Sequence, residues 1–183
     1  MRQLESSPIF KAIKGRRSVR EFEVTAVEDE VILSVLEAAR WAPSGGNLQP
    51  LAYVVVTESG LLEKVKAVSP GLLGNPTALI IVCLDNRLVQ STGMTGSYIV
   101  AYRIEVGMAA QNILLQAEDL GLGTCAIRSF NAAAVRGLLS IPADLDPELI
   151  VSLGYPTRKP EAPPRRSLPD IVHWGSYGAA RAD

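Results

Sequence analysis

The sequence is poor in the side chains from which proteins usually build a reactive centre of their own. Its 183 residues include two cysteines and one histidine, His173. Cys83 and Cys125 lie about forty residues apart in apolar runs, which is typical of buried, unreactive thiols. So few nitrogen and sulfur ligands argue against a zinc site, and a histidine-activated nucleophile would have to use His173. If the chain is an enzyme, we expect its reactive group to be a bound cofactor.

Net charge is nearly absent as well. The chain has 18 basic and 19 acidic residues, a formal net charge of −1, and 48% hydrophobic residues. No overall field attracts nucleic acid or an anionic membrane, so any anion must be captured locally. The N-terminal stretch MRQLESSPIFKAIKG has no continuous apolar segment of the kind that a signal peptide needs. These features predict a cytoplasmic protein without nucleic-acid or membrane partners.

No internal repeat, low-complexity tract or long linker divides the sequence. At this length we expect one domain over residues 1–183. Its last part, about 157–183, contains the run TRKPEAPPRRSLPDIVHW, whose prolines favour an extended path that does not pack as a helix or strand. An extended tail of this kind needs a surface to lie against.

Periodicity and capping residues predict alternating helices and strands. Helices are expected over 8–13, capped by Ser7, from a Thr25/Glu28 capping box to about Trp41, and over 61–68, 98–120 and 131–139. Strands are expected over 51–57, 78–84, 124–130 and 149–153, with loops over 42–50 and 87–98. The long helix over 98–120 is apolar on more than one side, so its second covering surface is expected to be another subunit.

One basic cluster stands out in the stretch KGRRSVREF. Arg16, Arg17, Ser18 and Arg20 follow a short helix, and guanidinium groups with a hydroxyl suit a phosphate ester. The alternative is a solvated face or dispersed salt bridges. Basic residues recur in the tail, so two distant clusters could close around one anion, the second being Arg158, Lys159, Arg165 and Arg166.

The loop PSGGNLQP is a second candidate site. Its glycines allow the backbone to approach a ligand, and the amides of Asn47 and Gln49 can pair with the N–H and C=O groups of a heterocycle. It lacks the Gly-Lys-Ser/Thr of a Walker loop and the G-x-S-x-G of a nucleophile elbow. A plain turn is the alternative interpretation.

Taken together, four segments resemble the FMN-dependent nitroreductase family over residues from about 9 to 173. The segments are RRSVR at 16–20, EAARWAPSGGNLQP at 37–50, AAQNILLQAEDLGLGTCAI at 109–127 and SLGYP at 152–156. The resemblance implies an α+β sandwich with a mainly antiparallel central sheet flanked by helices. It also implies a homodimer with swapped C-terminal tails and FMN at the dimer interface.

The resemblance also assigns residues. Arg16, Arg17 and Ser18, with Arg165 or Arg166, would hold the FMN phosphate, and Arg20 would lie near the pyrimidine edge. Pro43, Ser44 and Gly45 would line the flavin, Asn47 and Gln49 would reach it from the other subunit, and Ile127, Arg128 and Ser129 would lie at flavin N5. Whether Arg128 faces the pocket and favours an anionic substrate, or is a surface charge, stays open.

The function implied is an oxidoreductase that uses NADH or NADPH to reduce nitroaromatics, quinones or a related small electrophile through FMN by ping-pong hydride transfer. No catalytic side chain is assigned, because the flavin does the chemistry. Other flavin reactions (ring dehydrogenation, dehalogenation, flavin breakdown), an FMN sensor or storage protein, and a flavin-free phosphate-binding dimer are the alternatives. The chain is short for the family, so Asp85 to Ser97 is the candidate pocket cover, with Tyr98, Tyr102 or Phe130 as aromatic contacts.

Overall fold

The computed structural model describes residues 6–93 and 97–180, with the backbone only for residues 97–99. Six α-helices lie in this part of the chain: α1 (Pro8–Gly15), α2 (Asp29–Arg40), α3 (Ser59–Ala67), α4 (Asn86–Ser91), α5 (Ser97–Asp119) and α6 (Ala132–Leu138). The strands are β1 (Leu51–Val56), β2 (Ala78–Asp85), β3 (Gly123–Ile127) and β4 (Leu145–Gly154). Two short 3₁₀ turns cover Gly45–Asn47 and Leu168–Asp170.

The four strands form one antiparallel sheet in the order β1-β2-β4-β3. The central strand β2 is buried along its whole length, as its apolar sequence ALIIVCLD predicts. Within the described residues no strand pairs with the outer edge of β1. The fold is therefore α+β with an antiparallel sheet, as the resemblance implied.

Alternate residues of β2 face two separate cores. Ala78, Ile80 and Val82 pack with α2 and α5 on one face of the sheet. Leu79, Ile81 and Cys83 pack with α3 and α6 on the other face. Burial raises the pKa of the Cys83 thiol to about 11, which fits the prediction of an unreactive buried cysteine.

Capping side chains set several helix starts. Ser7 accepts a hydrogen bond from the Phe10 N–H, and Asn131 accepts one from the Ala134 N–H, as predicted. The predicted Thr25/Glu28 capping box is wrong. Helix α2 begins at Asp29 with Glu28 as its N-cap and no side-chain cap, because the acidic residues of the first turn complement the helix dipole without one.

The predicted loop over 87–98 is also partly wrong. Asp85 accepts hydrogen bonds from the backbone N–H groups of Arg87 and Leu88 and starts α4. Its side chain also binds the Arg87 guanidinium, a hydrogen bond that lowers the pKa of Asp85. The proposed cover from Asp85 to Ser97 is thus a short helix and a turn as far as Gly93, and residues 94–96 lie outside the described residues.

Helix α5 is the longest element and, as predicted, is apolar on more than one side. One side, with Val106, Ala109 and Ile113, is buried against the sheet and α2. Another carries Val100, Ile104 and Met108, which are 58%, 61% and 38% exposed in the single chain. No helix among the described residues is both long and apolar enough to cross a membrane.

The tail begins against the segment that follows the arginine cluster. Phe22 forms a β-bridge with Pro156, the Thr157 N–H donates to the Glu21 carbonyl, and the Arg158 guanidinium binds the Glu21 carboxylate at 2.6 and 2.9 Å. Lys159 binds Glu118 at the end of α5. We call these contacts of residues 156–159 the latch of the tail. Beyond the latch the tail has little regular structure and exposes apolar side chains, namely Leu168, Ile171, Val172, Trp174 and Tyr177.

Candidate functional site

An arginine-rich pocket lies where α1 ends. It has a volume of about 270 Å³ and is lined by Arg16, Arg17, Ser18 and Arg20 together with residues of the tail, namely Pro160, Glu161, Pro163 and Arg165. Of the tail cluster, Arg165 therefore meets the first cluster in one chain. The other three basic residues have partners elsewhere: Arg158 binds Glu21, Lys159 binds Glu118 and Arg166 binds the Asp170 carbonyl. Since the C-terminal end of a helix repels anions, the attraction in this pocket must come from side chains.

Arg17 lines the pocket and also caps the C-terminal end of α1. Its Nη1 donates to the carbonyls of Lys14, Gly15 and Arg16, at 2.7, 2.9 and 2.9 Å, so this end of the guanidinium caps α1. Its Nε is buried and has no hydrogen-bond partner among the described residues. A buried donor without an acceptor destabilises the folded chain. An anion that accepted a hydrogen bond from this Nε would therefore stabilise the fold.

Arg165 and Arg166, which the sequence could not separate, occupy different places. Arg165 lines the pocket, where its Nη1 donates to the carbonyls of Pro163 and Pro164. Arg166 is turned away and donates to the Asp170 carbonyl at 2.6 Å. Arg165 is therefore the one of the two that lies beside the 16–20 cluster, and its role in holding a phosphate stays a prediction.

Backbone contacts fix the arginine segment against the sheet. Ser18 forms a parallel bridge with Thr124, and the Val19 N–H donates to the Thr124 carbonyl at 2.8 Å. A Cβ on Gly123 would lie 2.7 Å from the Val19 side chain, so only glycine allows this approach. The arginines therefore stand beside β3, whose far end leads to residues 127–129.

The loop between α3 and β2 contacts both the arginine segment and residues 127–129. The Gly71 N–H donates to the Ser129 carbonyl at 2.9 Å, and a Cβ on Gly71 would lie 2.9 Å from Ile127. Gly74, with φ of +73°, passes so close to the backbone of Arg20 that a Cβ would lie 1.9 Å from its carbonyl oxygen. The sequence analysis did not single out these glycines, although their spacing in GLLG was a usable signal.

Arg128 does not line the arginine pocket. Its Nη1 donates to the Glu148 carbonyl at 2.8 Å and to the Glu148 carboxylate at 3.1 Å, while 69% of its side chain is exposed. Arg103 of α5 binds the other oxygen of the same buried carboxylate at 2.7 Å. The Arg128 guanidinium is thus held beside Glu148, which favours the interpretation as a surface charge.

The loop from Pro43 to Pro50 lies elsewhere and has a strained backbone. Asn47 and Gln49 have positive φ angles of 56° and 54°, which are rare for residues other than glycine. The Ser44 hydroxyl accepts from the Gln49 N–H at 3.0 Å, and the Gly45 N–H donates to Glu105 of α5 at 2.8 Å. A positive φ at Asn47 also suits a plain turn, whereas at Gln49 it is rarer, and strain of this kind concentrates at functional sites.

Two cavities flank this loop and neither contains an arginine of the 16–20 cluster. One, of about 120 Å³, is lined among others by Pro43, Ser44 and Gln49. The other, of about 330 Å³, is lined by Gly45, Gly46, Tyr102 and Glu105 among others. The structure of one chain therefore does not bring the loop together with the arginine pocket. The side chain of Tyr98 lies outside the described residues.

The chain is thus an α+β protein with a four-stranded antiparallel sheet and a basic pocket lined by side chains. The Nitroreductase family model matches residues 13–75 and 69–155. The chain belongs to the nitroreductase family.

Individual relatives cover nearly the whole chain. A protein of Methanothermobacter thermautotrophicus with the provisional name NADH dehydrogenase/NAD(P)H nitroreductase is 34% identical over 90% of this chain and 85% of its own. The crystal structure of a provisionally named nitroreductase from Desulfovibrio desulfuricans in complex with FMN has a TM-score of 0.80 at 30% identity, covering 91% of this chain and 96% of that chain. The solved structure of the NADPH:FMN oxidoreductase of Vibrio harveyi, complexed with NAD⁺, has a TM-score of 0.84 at 25% identity. The match covers 96% of this chain and 80% of that chain.

Proposed function

We propose that this protein, an FMN-dependent NAD(P)H oxidoreductase, reduces nitroaromatics, quinones or a related small electrophile. The observation that carries the proposal is the arginine pocket with the buried, unpartnered Nε of Arg17, because it fits the phosphate of FMN. FMN supplies hydride transfer at N5, first from the nicotinamide and then to the acceptor. The residues of the chain bind and orient it.

Within this proposal the pocket residues have distinct roles. Arg16 and Arg165 bind phosphate oxygens with charged hydrogen bonds, and Ser18 adds a neutral donor. Arg17 holds the end of α1 through its Nη1 and offers its Nε to the anion. Arg20 places a positive charge toward the pyrimidine edge, where a cation stabilises the negative charge that builds up on a reduced flavin. The backbone of residues 127–129, held by Gly71, lines the flavin near N5.

The second half of the site comes from a second copy of the chain. Pro43, Ser44, Gly45, Asn47 and Gln49 contact the FMN held by the other subunit, which agrees with the separation of this loop from the arginine pocket in one chain. The exposed stripe of Val100, Ile104 and Met108 on α5 supplies an apolar dimer surface.

The C-terminal tails are exchanged between the two copies. The exchanged part begins after Arg166, because the tail up to Arg165 lines the pocket of its own chain. Beyond Arg166 the tail exposes large apolar side chains such as Leu168 and Trp174, which need a surface to cover them. An extended segment can also cover the open edge of β1, whose apolar sequence LAYVVV would otherwise favour aggregation. One domain with an exchanged tail accounts for both features.

The experiment that tests the function is the visible absorption spectrum of the purified protein, recorded before and after anaerobic NADH and then NADPH. Flavin bands that bleach promptly, followed by recovery on addition of a nitroaromatic or quinone, are the expected result. Bands that persist with both nicotinamides would favour a sensor or storage protein. A colourless protein that does not take up added FMN would refute the proposal.

A further inference from the structure

One buried carboxylate on α5 contacts the loop from Pro43 to Pro50. Glu105 is 6% exposed, and its Oε1 accepts the Gly45 N–H at 2.8 Å across 60 positions of sequence. Its Oε2 is buried and lacks a hydrogen-bond partner among the described residues. A carboxylate in such a place is costly for the fold, so a purely structural site would be better served by an apolar side chain.

The loop that Glu105 holds is the most strained backbone of the candidate site. Gly46, Asn47 and Gln49 all have positive φ angles, between 54° and 58°. Such conformations persist only where the surroundings over-determine them. Inside the loop, Leu48 donates to the Gly45 carbonyl and Gln49 to the Ser44 hydroxyl, so the turn is built directly on Gly45. Fixing the amide of Gly45 therefore fixes the start of the strained turn.

Glu105 also occupies a central place between the two cavities beside the loop. It lines the cavity of about 120 Å³ together with Tyr53 and Gln49. It lines the cavity of about 330 Å³ together with Gly45 and Tyr102. A Cβ on Gly45 would lie 3.5 Å from its Oε1, in ordinary contact, so the hydrogen bond and not crowding defines the approach.

We propose that Glu105 is a positioning residue for FMN binding: its hydrogen bond to the Gly45 N–H holds the strained loop in the conformation that presents Asn47 and Gln49. This inference rests on the proposed function, since it assigns the loop to FMN. It adds a residue that would act without touching the cofactor, from a helix that also forms part of the core.

The test compares three substitutions in the full-length protein. Glu105→Leu removes the acceptor, Glu105→Asp withdraws it by one methylene, and Glu105→Gln keeps an acceptor at the same reach. Because the Gly45 N–H loses its acceptor, Leu and Asp should raise the FMN dissociation constant roughly tenfold, measured by flavin fluorescence. In the FMN-free protein, amide hydrogens of residues 43–50 should exchange at least about tenfold faster. Gln should stay within about threefold of the wild type on both measurements.

A matched control separates positioning from general destabilisation. Val65→Ala removes buried volume from α3, on the opposite face of the sheet, and should lower the melting temperature without changing the FMN dissociation constant or exchange at 43–50. If Glu105→Leu does not fold, Asp and Gln decide the question. Wild-type affinity and exchange in Glu105→Asp or Glu105→Leu, or a Gln variant as impaired as Leu, would overturn the inference. A wild-type protein that binds no FMN would instead refute the proposed function, and amide exchange would still report on the loop.

Discussion

The arginine pocket and the Pro43 to Pro50 loop are built in opposite ways. The pocket is assembled within one chain by backbone contacts, with Val19 on Thr124 and Arg20 against Gly74. The loop has a strained backbone, is bound through its Gly45 N–H by the buried Glu105, and is flanked by cavities rather than by the pocket. The difference supports the proposed binding site of two halves, one from each chain of a dimer.

The largest expected effect comes from disturbing the backbone contact that supports the arginine pocket. Gly74→Ala should destabilise the fold by more than about 3 kcal/mol and abolish FMN binding, because a methyl group would overlap the Arg20 carbonyl and φ is positive. Gly121→Ala is the matched control: φ there is +77° but no atom lies within 4 Å, so about 1 kcal/mol is expected. Thermal melting and FMN titration measure both. Equal effects of the two substitutions would show that the contact with Arg20 is unimportant.

The next effect concerns the charges of the pocket. Arg16→Ala and Arg165→Ala should each raise the FMN dissociation constant about tenfold, because each removes a charged hydrogen-bond donor to phosphate. Arg166→Ala serves as the control, since its guanidinium is bound to the Asp170 carbonyl outside the pocket. Fluorescence titration gives the three constants. A loss for Arg166→Ala equal to that for Arg165→Ala would contradict the position of the tail seen here.

A mixed dimer tests the two-half interpretation with an effect of about twofold. One subunit carries Arg16→Ala with Arg165→Ala, and the other carries Asn47→Ala with Gln49→Ala, the two being separated by different affinity tags. If each site combines the pocket of one chain with the loop of the other, one site of the mixed dimer is unaltered. Bound flavin should then be about half of the wild-type value. No bound flavin would mean that pocket and loop of the same chain form the site.

The smallest effect concerns the latch of the tail and depends on pH. The hydrogen bond from Arg158 lowers the pKa of the exposed Glu21 carboxyl below 4.5. A lowered folded-state pKa stabilises the latch above the unfolded value, and this is lost as pH falls below 4.5 through the folded value. Amide exchange at residues 155–160, corrected for the intrinsic effect of pH, should rise modestly in that window. Glu21→Gln should abolish the dependence, and its persistence there would point to another group.

Much of the fold could be predicted because local signals decide it. The apolar run of β2, the proline and serine at the start of α1, and Asn131 before α6 each act within a few residues. The Thr25/Glu28 capping box failed because the spacing alone does not show which residue starts the helix. The segment 87–98 was predicted as a loop because its polar composition hides the cap that Asp85 provides for α4.

The candidate site, like the fold, could be predicted from the sequence only where local signals identify its residues. Arg16, Arg17, Ser18 and Arg20 are visible because charge is concentrated in a few neighbouring positions. The choice of Arg165 over Arg166 could not be predicted, because it depends on the path of an extended tail. Gly74 and Glu105 were missed because their importance lies in backbone approaches across more than fifty positions of sequence.

The open edge of β1 has a consequence for how the protein is made. Within the described residues the apolar edge LAYVVV has no partner strand, so until another segment covers it, the edge of a second newly made copy can pair with it. The yield of native protein should therefore fall as the concentration of newly made chains rises, and slower expression should favour soluble product.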